Sequence, residues 1–201
     1  MIEVEIKVKV TEEQARRLIE GAQQIKQVQF VDEYYDSADF RLTINGLWLR
    51  KRDTKFELKM PATHDGSFHI GKNIPMHEVT DEHEIGHILG LTAQDCLSEA
   101  LAGAGYTVLY RFANTRQAYI KDGFTIDFDR ADYEGLVYCL CEVEMLVESV
   151  EQTEQALNLL YAFVKQYGIS TDRAEGKLGY FMRVTNPIHY QAVINSAKHQ
   201  A

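Results

Sequence analysis

The stretch Met1-Ile2-Glu3-Val4-Glu5-Ile6-Lys7-Val8-Lys9-Val10 alternates apolar and charged residues without a slip. Period two marks a β-strand, because successive side chains point to opposite faces. Glu3, Glu5, Lys7 and Lys9 share one face, and Ile2, Val4, Ile6, Val8 and Val10 share the other. The apolar face requires cover. The charged face of a lone strand belongs in water. The same charge-x-charge doublet recurs, however, in Arg50-x-Arg52, Glu57-x-Lys59, Asp127-x-Asp129 and Glu142-x-Glu144, all in strand-like segments. Strands that each line one face with charge predict a closed sheet with a polar, ion-binding interior and a packed outside. An open sheet with surface ion pairs fits the spacing as well.

The length, 201 residues, predicts one domain, 1–201, with a helical segment from about 150 to 201 covering the sheet. A net charge of -9 argues against a nucleic-acid partner, which needs a basic field, but not against a compact basic pocket for one small polyanion. No apolar run reaches the ~18 residues of a membrane span, and the alternating acidic start is unlike a signal peptide. Three cysteines, two of them inside a strand pattern, predict a reduced, cytoplasmic protein rather than a disulfide scaffold. Monomer and homodimer both stay open.

Along the chain, Thr11-Glu-Glu-Gln14 is a capping box opening a helix through Ala22. Strands are predicted over Val28–Asp36, Leu47–Arg52, Phe56–Met60 and Ile74–Val79, with a flexible loop over residues 61–71. In the second of these, Trp48, Arg50 and Arg52 share a face. Asp81-x-x-Glu84 caps a helix through Leu91, and another runs from about Thr92 to Ala104. Tyr106–Ile120 reads as a strand carrying Arg111 and Arg116, which face opposite ways; Arg116 is placed inside. Asp122-Gly123 is a hairpin signal leading into Phe124–Arg130, and Glu134-Gly135 leads into Val137–Val147. Glu151–Tyr167 is an amphipathic helix. A last helical stretch begins near Lys177, with Pro187 introducing the final turns.

The candidate interior set is Glu3, Glu5, Lys7, Arg50, Arg52, Lys59, Glu78, Arg116, Asp127, Glu142, Glu144 and Lys177, six acids and six bases. Burying unpaired ions costs several kcal/mol each, so a wet, mutually paired lumen is required. Arginines and lysines match phosphate oxygens, while clustered carboxylates supply ligands for Mg²⁺ or Mn²⁺. A site carrying both suits a metal-complexed polyphosphate.

These residues carry a resemblance. Ile2-Glu-Val-Glu-Ile-Lys7 resembles the E-x-E-x-K signature of the CYTH, or triphosphate tunnel metalloenzyme, superfamily. Trp48-Leu-Arg-Lys-Arg52, Phe56-Glu-Leu-Lys59, Glu78-Val-Thr, Thr115-Arg116, Ile126-Asp-Phe-Asp-Arg-Ala-Asp-Tyr133, Cys141-Glu-Val-Glu144 and Lys177 are similar to its thiamine triphosphatase branch, in order through almost the whole chain. The resemblance implies an α+β fold: a closed antiparallel eight-stranded β-barrel, the triphosphate tunnel, with helices outside. It also implies a metal-dependent hydrolase of thiamine triphosphate or inorganic tripolyphosphate. Lys7, Arg50, Arg52, Lys59, Arg116 and Lys177, with Trp48 and Glu78, would bind substrate. Glu3, Glu5, Asp127, Asp129, Glu142 and Glu144 would hold Mg²⁺ or Mn²⁺, and Lys59, Glu5 and Glu144 would be catalytic. The Asp127-to-Glu142 spacing is longer than in animal members, which leaves open whether Asp127 or Asp129 is the inward ligand. The superfamily also contains class IV adenylyl cyclases, and a non-catalytic polyphosphate- or nucleotide-binding module is a further alternative.

Trp48 either stacks on a cationic thiazolium or packs under a helix. His83-Glu-Ile-Gly-His87 matches HExxH but lacks a third ligand pattern, and the same residues form a capped first turn. Cys139 and Cys141 are read as packing sulfur, and Tyr34-Tyr35-Asp36 as packing more than tunnel rim.

Overall fold

The computed structural model describes residues 1–62, 74–91 and 96–199, the last three of these without their side chains. The loop predicted over 61–71 and the predicted helix start at Thr92 lie largely outside the described residues.

Eight antiparallel strands close into a barrel: β1 (Ile2–Val8), β2 (Gln23–Ser37), β3 (Trp48–Arg52), β4 (Lys55–Pro61), β5 (Met76–Val79), β6 (Tyr106–Lys121), β7 (Phe124–Tyr133) and β8 (Leu136–Val147). Around the barrel they run β1-β5-β4-β3-β2-β6-β7-β8, so the first and last strands are neighbours. The seam between β1 and β5 is a single pair, Glu3 opposite Met76. The helices are α1 (Glu12–Ile19), α2 (Glu82–Ile88), α3 (Leu97–Gly103), α4 (Thr153–Gln166), α5 (Lys177–Thr185) and α6 (Pro187–His199). None of them is long and apolar enough to cross a membrane.

Local chemistry sets several boundaries as expected. Thr11 Oγ1 accepts from the Gln14 N–H at 3.2 Å and Gln14 Oε1 accepts from the Thr11 N–H at 3.0 Å, the reciprocal capping box of α1. Asp122 and Gly123 have φ of 52° and 85°, the two positive values a type I′ hairpin turn needs between β6 and β7. At α2 the Asp81 carboxylate accepts from the Glu84 N–H at 2.8 Å. That helix ends at Ile88 rather than Leu91, because Gly90 takes a left-handed φ of 64°. β2 begins at Gln23, five residues before the expected start. Its first residues, Gln-Gln-Ile-Lys-Gln, carry no apolar alternation because both faces are exposed there; pairing with β6 alone holds them.

The apolar face of β1 is buried as its alternation requires. Ile2, Val4, Ile6 and Val8 are all at most 3% exposed and pack under Ala156, Leu160, Phe163 and Val164 of α4. On the other side Leu49, Phe56 and Leu58 meet Ile85 of α2 and Leu97 and Leu101 of α3. Each fully buried side chain of this kind contributes ~1.5–3 kcal/mol.

The inward face is not uniformly charged. Tyr110 and Phe112 on β6, Ala131 on β7, and Tyr138 and Leu140 on β8 form an apolar cluster with Leu178, Phe181 and Met182 of α5 and Val193 of α6. The same alternations place Arg116, Asp129 and Glu142 further along those strands. The barrel thus has an apolar end filled by α5 and α6 and a charged remainder. Cys141 is buried under α4 as expected, but Cys139, two residues along the same face, is exposed beside its register partner Arg130.

Candidate active site

The charged remainder of the lumen is a cavity of about 360 Å³. Register builds its walls. Lys7 stands opposite Glu142, which stands opposite Asp127; Glu5 stands opposite Glu144. Across the barrel, Trp48 is opposite Lys59 and Lys59 opposite Glu78, while Arg50 lies between Tyr34 and Glu57. Because pleated neighbours in a row share a face, each row delivers its charges to one lumen.

Of the residues predicted from sequence, Glu3, Glu5, Lys7, Trp48, Arg50, Arg52, Lys59, Glu78, Arg116, Glu142, Glu144 and Lys177 all line this cavity. Asp127 and Asp129 do not. Both point inward, as their shared parity requires, but they lie buried behind Arg116 and pair with it. Asp129 receives Arg116 Nε and Nη2, both at 2.6 Å, and also the Lys177 ammonium. Glu142 accepts from Arg116 Nη2 at 2.9 Å and lies 3.4 Å from Lys177 Nζ. Asp127 Oδ2 meets Arg116, whereas its buried Oδ1 has no hydrogen-bond partner among the described residues.

Three carboxylates remain together. Oxygens of Glu3, Glu5 and Glu144 lie within 4.8 Å of one another, the one such grouping of ligand-type side chains among the described residues. His83 and His87 sit on the exposed surface of the seven-residue α2 and belong to no such grouping. Carboxylates at this separation repel one another, and the electrostatics follow. Burial, reinforced by Glu3, Asp127 and Glu5, pushes the Glu144 carboxyl up to about 9. Burial also acts against the charge of Glu3, but Lys59 beside it wins and holds its carboxyl below the usual range. Of the two, Glu3 favours the charged form and Glu144 the protonated one. Three hard oxygen donors, one retaining a proton only for want of positive charge, fit a divalent ion such as Mg²⁺ or Mn²⁺.

Lys59, Arg116 and Lys177 stay charged. Burial disfavours the cations of Lys59, Arg116 and Lys177, yet the surrounding acids outweigh it and raise all three above their ordinary values. Glu142, though buried, is kept well below the carboxylate range by Lys177, Lys7 and Arg116.

Sequence reasoning missed several residues of the site. Asp32, fully buried on β2, accepts from Arg52 Nε at 2.8 Å and Nη2 at 3.1 Å, and from Asn114 Nδ2 at 3.1 Å. Asp32 stands behind the wall, and its i, i+2 spacing to Tyr34, which lines the cavity, was the available signal. Tyr35 packs outward and Asp36 accepts from the backbone N–H groups of Leu42 and Thr43, so the Tyr34-Tyr35-Asp36 cluster divides among three jobs. Arg173 and Glu175 reach the cavity from the segment between α4 and α5, where no periodicity exists to reveal them. That segment is fixed beside β1: the Ala174 N–H donates to Lys7 O at 2.8 Å. A Cβ on Gly176 would come within 3.4 Å of Lys7 Cε. With Arg173 the cavity wall carries seven basic and six acidic side chains.

The fold and the site define a class: a closed eight-stranded antiparallel barrel whose lumen sets paired cations beside clustered carboxylates. The chain belongs to the CYTH domain family, whose model matches residues 1–176 and ends one residue before α5. It is 28% identical over 208 residues to the human thiamine-triphosphatase, covering 94% of this chain and 86% of that protein. A Pyrococcus horikoshii protein of solved structure superposes with a TM-score of 0.67 at 20% identity, over 90% of this chain and 99% of the other. A putative adenylyl cyclase from Hippeastrum, described as having a dominant triphosphatase activity, superposes with a TM-score of 0.56 at 17% identity, over 91% and 95% of the two chains.

Proposed function

We propose that this protein hydrolyses the terminal phosphate of an organic triphosphate, thiamine triphosphate foremost, or of inorganic tripolyphosphate, with Mg²⁺ or Mn²⁺. The carrying observation is that seven basic side chains and a three-carboxylate cluster converge on one cavity. Anion capture alone has no use for the carboxylates, and cation capture alone has no use for the arginines.

Arg50, Arg52 and Arg116 are held by Glu57, Asp32 and Asp129, so their forks are oriented before substrate arrives. Lys59, between Glu3 and Glu78, stands at the border of the basic wall and the carboxylate cluster, where it stabilises charge on the transferring phosphoryl group. Lys7 and Lys177 complete the grip. Glu3, Glu5 and Glu144 would hold the divalent ion, which when bound neutralises phosphate charge and acts as a Lewis acid. Glu5 and Glu144 also orient water toward the terminal phosphorus.

The organic half is addressed by the apolar part of the wall: Trp48, Met76, Leu178, Met182, Tyr190 and Val193. A bare tripolyphosphate needs no such surface, and the human relative is named for thiamine triphosphate. A reduced, cytoplasmic setting fits the three free cysteines.

The deciding assay offers thiamine triphosphate, tripolyphosphate and ATP in parallel, with Mg²⁺ or Mn²⁺, and identifies products. Orthophosphate release from thiamine triphosphate is the expected result. Cyclic AMP with pyrophosphate from ATP would replace this reading with a cyclase.

A further inference from the structure

The cavity holds its basic side chains in two ways. Arg52, Arg50 and Arg116 lean on acids outside the three-carboxylate cluster, namely Asp32, Glu57 and the Asp127, Asp129 and Glu142 group. Asp32 and Asp129 are buried and spoken for, so Arg52 and Arg116 keep their partners whatever enters the cavity. Lys59 and Lys7 are placed differently. Lys59 donates to Glu3 and Lys7 to Glu5, and both acids belong to the cluster that suits a cation. Their other acidic neighbours are more distant, Glu78 at 3.4 Å from Lys59 and Glu142 at 3.9 Å from Lys7.

We propose that Glu3 and Glu5 form a reciprocal lock on Lys59 and Lys7: without a divalent ion they hold both lysines off the phosphate chain, and on accepting one they release both to it. The inference rests on the proposed function and adds its order of assembly. The physical ground is competition for the same oxygens. A doubly charged ion on Glu3 and Glu5 repels the ammonium groups already there, and a phosphate chain is the nearest anion that can receive them. Run the other way, a triphosphate that draws off the lysines leaves Glu3 and Glu5 uncompensated and raises their affinity for the ion. The two effects are one coupling and must be equal. Arg50, Arg52 and Arg116 take no part in the exchange and serve as a standing cradle.

The test is calorimetric binding of a methylene-bridged tripolyphosphate analogue, which is not hydrolysed, in chelator and in saturating Mg²⁺. Wild-type protein should bind it roughly 10–100-fold tighter with Mg²⁺, and Mg²⁺ affinity should rise by the same factor when the analogue is present. Complexation of the analogue by Mg²⁺ in solution is common to every variant, so comparison among variants isolates the lock. In Lys59→Met and Lys7→Met the Mg²⁺-dependent gain should shrink at least tenfold. Arg52→Met should weaken binding in both buffers and retain the gain. Glu3→Gln, which frees Lys59 without a cation, should bind the analogue more tightly than wild type in chelator. Glu144→Gln should not, because the ion pairs of Lys7 and Lys59 run to Glu3, Glu5, Glu78 and Glu142 and not to Glu144. Lysine variants that keep the full gain would overturn the lock, as would equal tightening in Glu3→Gln and Glu144→Gln. An analogue that binds in neither buffer would remove the function itself, and the lock with it.

Discussion

Glu3 on β1 and Glu144 on the neighbouring β8 bring carboxylate oxygens within 4.8 Å of each other on one wall of the lumen, and their preferences for charge are opposite. Lys59 sets the difference: Glu3 keeps the charge and Glu144, pushed up to about 9, keeps the proton. A group whose pKa rises on folding contributes stability that is present below its unfolded value and lost as pH climbs through the folded one. The ion-free protein should therefore weaken from about pH 5 to 9 on this account. Glu144→Gln removes that penalty. Its melting temperature in chelator should exceed the wild type's by a margin that widens with pH, while turnover falls by ~10²–10³-fold. Thermal melts across pH with parallel phosphate-release assays check both halves. Full activity in the variant would take Glu144 out of the cation site.

Asp129 holds Arg116 and Lys177 at once. Replacing it by Asn leaves two buried cations sharing Glu142 and Asp127. Breaking a buried pair costs ~3–5 kcal/mol, so Asp129→Asn should shift the urea midpoint downward by that equivalent and raise KM for any triphosphate. A variant of unchanged stability would show that the lumen is wet enough to screen the loss.

Trp48 shares its face with Arg50 and Arg52 and lines the cavity. Stacking on a cationic thiazolium gains ~0.5–2 kcal/mol, which corresponds to a ~2–30-fold change. Trp48→Ala should lose that factor in kcat/KM for thiamine triphosphate and much less for tripolyphosphate. Equal losses on both substrates would assign Trp48 to packing alone.

His189 lies at the other, apolar end of the barrel, 1% exposed. It stacks on Phe40 at 3.9 Å, with Thr43 Oγ1 at 2.7 Å from Nε2 and Tyr110 Oη at 2.9 Å from Nδ1. Burial lowers its pKa against the opposing pull of Asp36. A depressed pKa means stability present above the unfolded value, ~6.5, and lost as pH falls through the folded one. Wild-type stability should drop on acidification through that window, and His189→Gln, lower at pH 8, should show a shallower decline. Denaturant midpoints from pH 5 to 8 measure it, and parallel curves for the two proteins would exclude His189 as the titrating group.

Much of this was readable from residue order. The alternation of Met1–Val10 and its echoes at Arg50-x-Arg52, Glu57-x-Lys59 and Glu142-x-Glu144 fixed which side chains share a face, because a strand's period of two is a local property of its backbone. The capping residues Thr11 and Asp81 and the turn residues Asp122-Gly123 act within a few residues and were equally legible. What alternation could not assign was partnership. Whether an inward acid holds an arginine, as Asp129 and Asp32 do, or faces other acids, as Glu144 faces Glu3 and Glu5, depends on strand register, barrel closure and the depth to which α5 fills one end. Those are set by contacts between residues as far apart as Lys7 and Ala174. Charge placement was therefore local information, whereas charge pairing was decided only when distant strands were brought into one low-dielectric lumen.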